Sequence, residues 1–243
     1  MFKGTIAAIG ARSNSKRIPN KNIKDLGGMH LIGWSINTAK NCNLINKTVL
    51  STDYDFIAEI AYKYNPSIKV INRPPELALD NSTDYEWILH LLKELYKENG
   101  YYPKTIVLLR PTTPFRSSDV IEEAIKTFLA NNEASSLRSI EPVSEAIEKT
   151  FKINEYNYLF PACCGIELKD TNKPNQVFST TYRANGYVDI LNSETILNTN
   201  DIYGDKILPF LTKKTIEIDT EEDLQFANFL LKEKRNGKNM SKM

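Results

Sequence analysis

Thr5-Ile6-Ala7-Ala8-Ile9-Gly10 is a continuous run of small and β-branched residues, followed directly by the polar stretch Ala11-Arg12-Ser13-Asn14-Ser15-Lys16-Arg17-Ile18-Pro19-Asn20-Lys21-Asn22. A segment apolar at every position, rather than at every second one, fits a strand buried on both faces, as in a parallel sheet. The alternation continues outward from it. Residues 31–40 read as a helix through Leu31, Ile32, Trp34, Ile36 and Ala39, and 47–51 as a second strand. Phe56, Ile57, Ile60, Ala61 and Tyr64 recur at helical spacing behind Thr52 or Asp53 as cap. A short strand over 68–71 precedes a helix over 83–98, for which Ser82 is the expected N-cap. Residues 105–109 form the clearest buried strand, and Ser117-Ser118-Asp119 opens a helix to about Ala130. Strand and helix in turn predict a three-layer α/β fold with a mostly parallel sheet.

That regularity fails after about Ile140. Residues 141–184 are rich in Asn, Pro and Tyr, with hairpin-like strands at Phe151-Lys152-Ile153 and Tyr158-Leu159-Phe160. The segment is too apolar for a linker and reads as an insertion that packs on something, such as a second subunit. Strand character returns at 187–191 and at Thr215-Ile216-Glu217-Ile218-Asp219, followed by a helix capped by Thr220 with Asp223 three residues on. The basic stretch 232–243 is expected to fray. The whole chain, 1–243, is thus expected to be one domain with an insertion.

The 31 Lys and Arg against 30 Asp and Glu give a formal net charge of +1, with 41% hydrophobic residues. Such a chain is neither disordered nor built to coat nucleic acid or an anionic membrane. No apolar run approaches the roughly 18 residues of a membrane span, and the first apolar run precedes its charges instead of following them, unlike a signal peptide. Three cysteines, Cys42 and the adjacent Cys163 and Cys164, make no disulfide framework or zinc spacing. The expectation is a cytoplasmic protein with neither nucleic-acid nor membrane partners.

In open α/β sheets ligands bind beyond the carboxyl ends of strands. Residues 10–22, 73–82, 110–116 and 217–219 fall there. The first loop carries Arg12, Lys16, Arg17 and Lys21 among small residues, without Walker or Rossmann glycine spacing. Backbone N–H groups behind a buried strand and cations around them suit phosphate; a solvated basic loop is the alternative.

Residues 11–22 resemble the nucleotide-binding loop of CMP-sialic acid synthetases and related nonulosonate cytidylyltransferases, of pattern A-R-x-x-S-K-R-I-P-x-K-N. The likeness continues in order through Leu50-Ser51-Thr52-Asp53, Arg73-Pro74-Pro75-Glu76-Leu77-Ala78-Leu79-Asp80-Asn81-Ser82 and Leu108-Leu109-Arg110-Pro111-Thr112-Thr113-Pro114-Phe115-Arg116. It ends with Tyr182-Arg183-Ala184-Asn185-Gly186 and Ile218-Asp219-Thr220-Glu221-Glu222-Asp223-Leu224. The resemblance implies a Rossmann-like sheet of the nucleotide-diphospho-sugar transferase kind, with the insertion joining two subunits as a homodimer. It also implies transfer of CMP from CTP to the anomeric hydroxyl of a nonulosonic acid, releasing pyrophosphate. An enzyme for another keto-acid sugar, such as an eight-carbon ulosonate, and a non-catalytic nucleotide-sugar binding module are the alternatives.

By the same resemblance, Arg12, Lys16, Lys21 and Asn22 meet the triphosphate and nucleotide, with Lys21 and then Arg12 stabilising the transition state. Arg73, Asp80 and Ser82 belong to the nucleotide side. Asp219 is the first candidate ligand for Mg²⁺, where a metal would neutralise phosphate and help the acceptor hydroxyl lose its proton. The family's Asp-x-Asp is here Glu217-Ile218-Asp219, so Glu217 is the second ligand. Arg110 replaces the family's usual Gln and is expected to meet the acceptor's carboxylate or an unusual substituent, shifting preference towards legionaminic or pseudaminic acid. Arg116, Gln176, Arg183 and Asn185 match further sugar-side or partner-subunit positions. His30 and His90 match no motif and read as structural, and Cys163 and Cys164 match none and read as incidental.

Overall fold

The computed structural model describes residues 1–240, with side chains through Lys234. In chain order the strands are β1 (Thr5–Gly10), β2 (Asp25–Leu26), β3 (Met29–His30), β4 (Lys47–Thr52), β5 (Lys69–Asn72), β6 (Thr105–Leu108), β7 (Ser136–Pro142), β8 (Phe151–Ile153), β9 (Leu159–Pro161), β10 (Tyr182–Asn192) and β11 (Ile207–Leu211). The helices are α1 (Leu31–Lys40), α2 (Asp55–Tyr64), α3 (Asp84–Asn99), α4 (Ser118–Ala130), α5 (Ser193–Thr199) and α6 (Glu221–Met240).

Seven strands make one sheet in the order β11-β7-β10-β6-β1-β4-β5. It is parallel throughout except on the two sides of β10, which runs antiparallel to β6 and β7. The apolar run of β1 is explained by what lies on each face. Ala7 and Ile9 join a core with Ile36, Leu50, Ile57 and Ile125, which brings α1, α2 and α4 to one side. Ile6 and Ala8 join Ile88, Leu91, Leu92 and Ile196, which brings α3 and α5 to the other. Burial of each such Ile or Leu stabilises the fold by about 1.5–3 kcal/mol.

Local chemistry fixes the ends of elements, and it corrects several expected boundaries. Thr83, not Ser82, caps α3: its hydroxyl accepts from Glu86 N–H at 3.4 Å while the Glu86 carboxylate accepts from Thr83 N–H at 2.6 Å, a capping box. Ser82 instead closes the preceding turn, accepting from Leu79 N–H and donating to the Glu76 carbonyl. Neither Thr52 nor Asp53 caps α2, whose N-cap position is Tyr54 with no side-chain bond.

The largest correction is at the far edge of the sheet. The expected strand at 215–219 is an extended segment outside the sheet, and the edge position beside β7 belongs to β11. Single bonds hold that segment instead of a ladder: Thr215 N–H donates to Glu141 and Ile218 N–H to the Thr112 carbonyl at 2.7 Å. Ile218 is buried with Ile18, Leu26, Leu31, Leu224 and Ala227, tying α6 to the first loop. Helix α6 takes in residues 232–240 of the basic stretch, whose Lys and Glu are good helix formers. The rest of the stretch expected to fray, 241–243, lies outside the described residues. Between β7 and β10 the chain leaves the sheet to form the β8–β9 hairpin and three short 3-10 turns, where the insertion is expected. Among the described residues no helix is long and apolar enough to cross a membrane.

Candidate active site

A cleft of about 510 Å³ opens over the carboxyl ends of β1, β4, β5 and β6. Arg12, Lys16, Arg17, Lys21, Asn22, Arg73, Asp80, Ser82 and Arg110 all line it. Three separate stretches of sequence, 10–22, 73–87 and 108–112, thus supply its walls, and the fourth expected segment, 217–219, does not line it.

The first loop is built to hold its cations inward. Ala11 N–H extends the β1–β4 ladder by one bond to Ser51, and Asp53 accepts from both the N–H and the hydroxyl of Ser13 at 2.8 and 2.6 Å. Asn22 is buried and donates to the Arg12 carbonyl at 2.9 Å, closing the loop on itself. A 3-10 turn over Lys21–Ile23, entered through Asn20 at φ +55°, directs Lys21 to the cleft, where its side chain is only 13% exposed.

Each cation of the loop meets a carboxylate. Arg12 and Lys16 reach Asp80 at 3.1 and 2.7 Å, and Arg17 and Lys21 reach Asp219 at 3.1 and 2.9 Å. Asp219 therefore sits at the rim of the cleft, although 215–219 is no strand. Glu217 joins it electrostatically. Burial and the Asp219 charge push the Glu217 carboxyl above its ordinary value, against the pull of Arg110, Lys21 and Arg17.

At the wall formed by 73–87, Arg73 is buried, donates twice to Ser51 at 3.0 Å, and lies 4.8 Å over the Trp87 ring. Burial lowers its pKa to about 10, with Asp53 and Asp84 opposing the shift. This packing requires Gly10, since a Cβ there would stand 2.9 Å from Trp87 and 3.0 Å from the Arg73 guanidinium. Trp87 reads in sequence as a core residue of its helix, and only the fold shows it lining the cleft.

Arg110 lines the cleft as expected, but it is not a free cation. Nη2 donates to Asp84 at 2.7 Å and Nη1 to the buried Asp189 at 2.5 Å. Burial alone would lower its pKa, yet the two carboxylates outweigh that and raise it, so the guanidinium stays charged and balanced. Asp84 and Asp189 carry no signal in the motifs; Asp189 sits in a strand that reads as buried.

The remaining sugar-side expectations fall elsewhere. Arg116 is a strut, donating to the carbonyls of Tyr187, Arg110 and Gly186 and to the Ser35 hydroxyl. It spends its donors on the protein because the β10 backbone and α1 pack directly around it. Arg183 and Asn185 both donate to Glu141, at 2.7 and 3.2 Å, and Gln176 is exposed on the insertion. None of these four lines the cleft.

An α/β sheet with a cation-lined cleft at its parallel carboxyl ends, served by the loop after the first strand, defines a nucleotide-binding protein of the transferase kind. Residues 6–219 match the family described as cytidylyltransferase, and the chain belongs to that family. It is 28% identical over 229 residues to a pseudaminic acid cytidylyltransferase of Campylobacter jejuni, covering 93% of this chain and 96% of the relative. It is equally identical to a CMP-N,N'-diacetyllegionaminic acid synthase of Legionella pneumophila, covering 93% and 95%. An N-acylneuraminate cytidylyltransferase of Escherichia coli is 28% identical over 221 residues, covering 91% of this chain, which spans about half (50%) of that relative. Among solved structures, a CMP:2-keto-3-deoxy-manno-octonic acid synthetase complexed with CTP superposes with a TM-score of 0.72 at 13% identity, covering 96% of this chain and 100% of the other. That likeness speaks for the fold.

Proposed function

We propose that the protein transfers CMP from CTP to the anomeric hydroxyl of a nonulosonic acid of the sialic, legionaminic or pseudaminic type. The observation that supports this most is the convergence of Arg12, Lys16, Arg17 and Lys21 on one cleft with Arg73. Five cations there suit a triphosphate and little else of comparable size. The acceptor oxygen forms a bond to the α-phosphorus as the bond to the bridging oxygen breaks, pyrophosphate leaves, and the hydroxyl's proton passes to water. Negative charge grows on the bridging and leaving oxygens, and Lys21, held rigidly beside the Ile218 carbonyl and Asp219, is placed to meet it. Arg12 serves the same charge from the other side of the loop.

Asp219 and Glu217 would hold Mg²⁺. Burial and then the Asp219 charge raise the pKa of Glu217, and carboxylate oxygens near one another suit a hard cation that also takes phosphate oxygens. When bound, it would supply phosphate neutralisation and lower the acceptor hydroxyl's pKa.

The insertion would join two subunits in the cytoplasm. Ile153, Tyr156, Tyr158 and Leu159 are all more than half exposed on it, an apolar surface of the kind that marks an interface. Pyrophosphate release from CTP with Mg²⁺, measured over a panel of nine- and eight-carbon keto-acid sugars, tests the activity. Release with a nine-carbon acid is expected. Retained CTP binding without release from any acceptor would instead indicate a binding module.

A further inference from the structure

Asp80 matches the nucleotide side by resemblance, yet its carboxylate is turned to the cations of the first loop. Arg12 lies 3.1 Å and Lys16 2.7 Å from it. Lys16 is 79% exposed and Asp80 41%. An ion pair this open is held weakly and exchanges readily for a ligand's oxygens. Arg12 cannot follow such a ligand far. Its Nη1 also donates to the Leu79 carbonyl at 2.6 Å and contacts that of Ala78 at 3.4 Å. A phosphate that takes Arg12 and Lys16 is therefore brought beside the segment that carries Asp80, and the displaced carboxylate stays close to it.

We infer that Asp80 is a release residue for the leaving group: it competes with phosphate oxygens for Arg12 and Lys16 and reclaims both cations as pyrophosphate departs. The inference rests on the reading of the cleft as the CTP site. Five cations around a polyanion would otherwise hold the product as firmly as the substrate. A resident carboxylate on two of them lowers that affinity without removing the cations that stabilise the transition state. Asp80 is then an internal competitor for the phosphate, not a contact to it.

Calorimetric titration with pyrophosphate and with CTP, both in EDTA, tests this on the full chain. Asp80→Asn is expected to tighten pyrophosphate binding by roughly two- to fivefold, the range that open ion pairs support. In turnover the same variant should be inhibited by correspondingly less pyrophosphate. Glu76→Gln removes a carboxylate from the same stretch that has no ion-pair partner among the described residues, and it should change neither quantity. Unchanged or weaker pyrophosphate binding in Asp80→Asn overturns the inference, as does equal tightening in Glu76→Gln. Failure of the wild type to bind either ligand, in EDTA and again with Mg²⁺, would overturn the CTP reading itself, and this inference with it.

Discussion

The Arg110 guanidinium lies 2.5 Å from the carboxylate of Asp189, whose side chain is 1% exposed. Tyr203 donates to the same carboxylate oxygen at 3.1 Å, and Asp84 balances Arg110 from the cleft side at 2.7 Å. Arg110 is thus held by the protein on two edges, and any acceptor group that meets it competes with Asp84.

Breaking this pair from one side leaves a charge in a largely buried place. Asp189→Asn or Arg110→Gln alone should each cost up to about 3 kcal/mol of stability, because the remaining charge loses its nearest counter-charge in a largely buried place. The double variant Arg110→Gln with Asp189→Asn should recover much of that, since neither charge is left behind. Urea unfolding midpoints at constant slope would show it; additive losses would mean the two residues act separately. Acceptor preference read in parallel on Arg110→Gln tests whether the guanidinium also selects the sugar, and an unchanged preference would sink that role.

Lys21 is the least exposed cation of the first loop, and its position is fixed from two sides by the Ile218 carbonyl and Asp219. Replacing it by Met keeps the length of the side chain and removes the charge. The expected result is a fall of about 10²–10³ in kcat, the scale on which single preorganised donors act. CTP binding should weaken far less, because Arg12, Lys16 and Arg17 remain. A fall confined to the KM for CTP would assign Lys21 to ground-state binding.

The parts of this architecture that were legible from sequence are those with strong local causes. β1 betrayed itself by burial on both faces, and the loop after it by four cations among small residues. The parts that were not legible depend on contacts between distant residues. The run 215–219 has strand-like residues, but β11 takes the sheet edge and leaves it only isolated bonds to Thr112 and Glu141. Ser82 and Thr83 are both good caps, and Glu86, three residues after Thr83, decides between them. Arg116 looks like a substrate ligand until the carbonyls of β10 are seen around it. Asp189 is a charged residue in a buried strand, explained by partners distant in sequence: Arg110, 79 positions away, and Arg138 and Tyr203 beside it.

Glu217 sets a pH dependence whose sign follows from its surroundings. Burial and then Asp219 raise its pKa above the ordinary 4.5, so the folded chain binds this proton more tightly than the unfolded one. Its contribution to stability is therefore full below 4.5 and is lost as pH rises through the raised value. Thermal melts should show Glu217→Gln more stable than wild type at neutral pH, with the gap closing below 4.5. Addition of CTP with Mg²⁺ should raise the wild-type melting temperature more than that of Glu217→Gln. Equal gains in both proteins would remove Glu217 from the metal.

The insertion offers a test of assembly that leaves the sheet untouched. Ile153 and Leu159 face each other across the β8–β9 ladder and are 67% and 55% exposed, and Tyr158 beside them is 71% exposed. Side chains so open contribute little to the stability of their own subunit, so charges placed there should shift it by no more than about 0.5 kcal/mol. At an interface, the same charges would be buried without partners and would prevent association. Ile153→Asp with Leu159→Asp is accordingly expected to convert a dimer of twice 27.7 kDa to a monomer in light scattering, with the single-subunit fold intact by circular dichroism. If Gln176, Arg183 or Asn185 serves the neighbouring cleft, the monomer should also lose turnover while retaining CTP. A wild-type chain that is itself monomeric at micromolar concentration would remove the insertion's role in assembly, and with it the reason to look for sugar ligands across the interface.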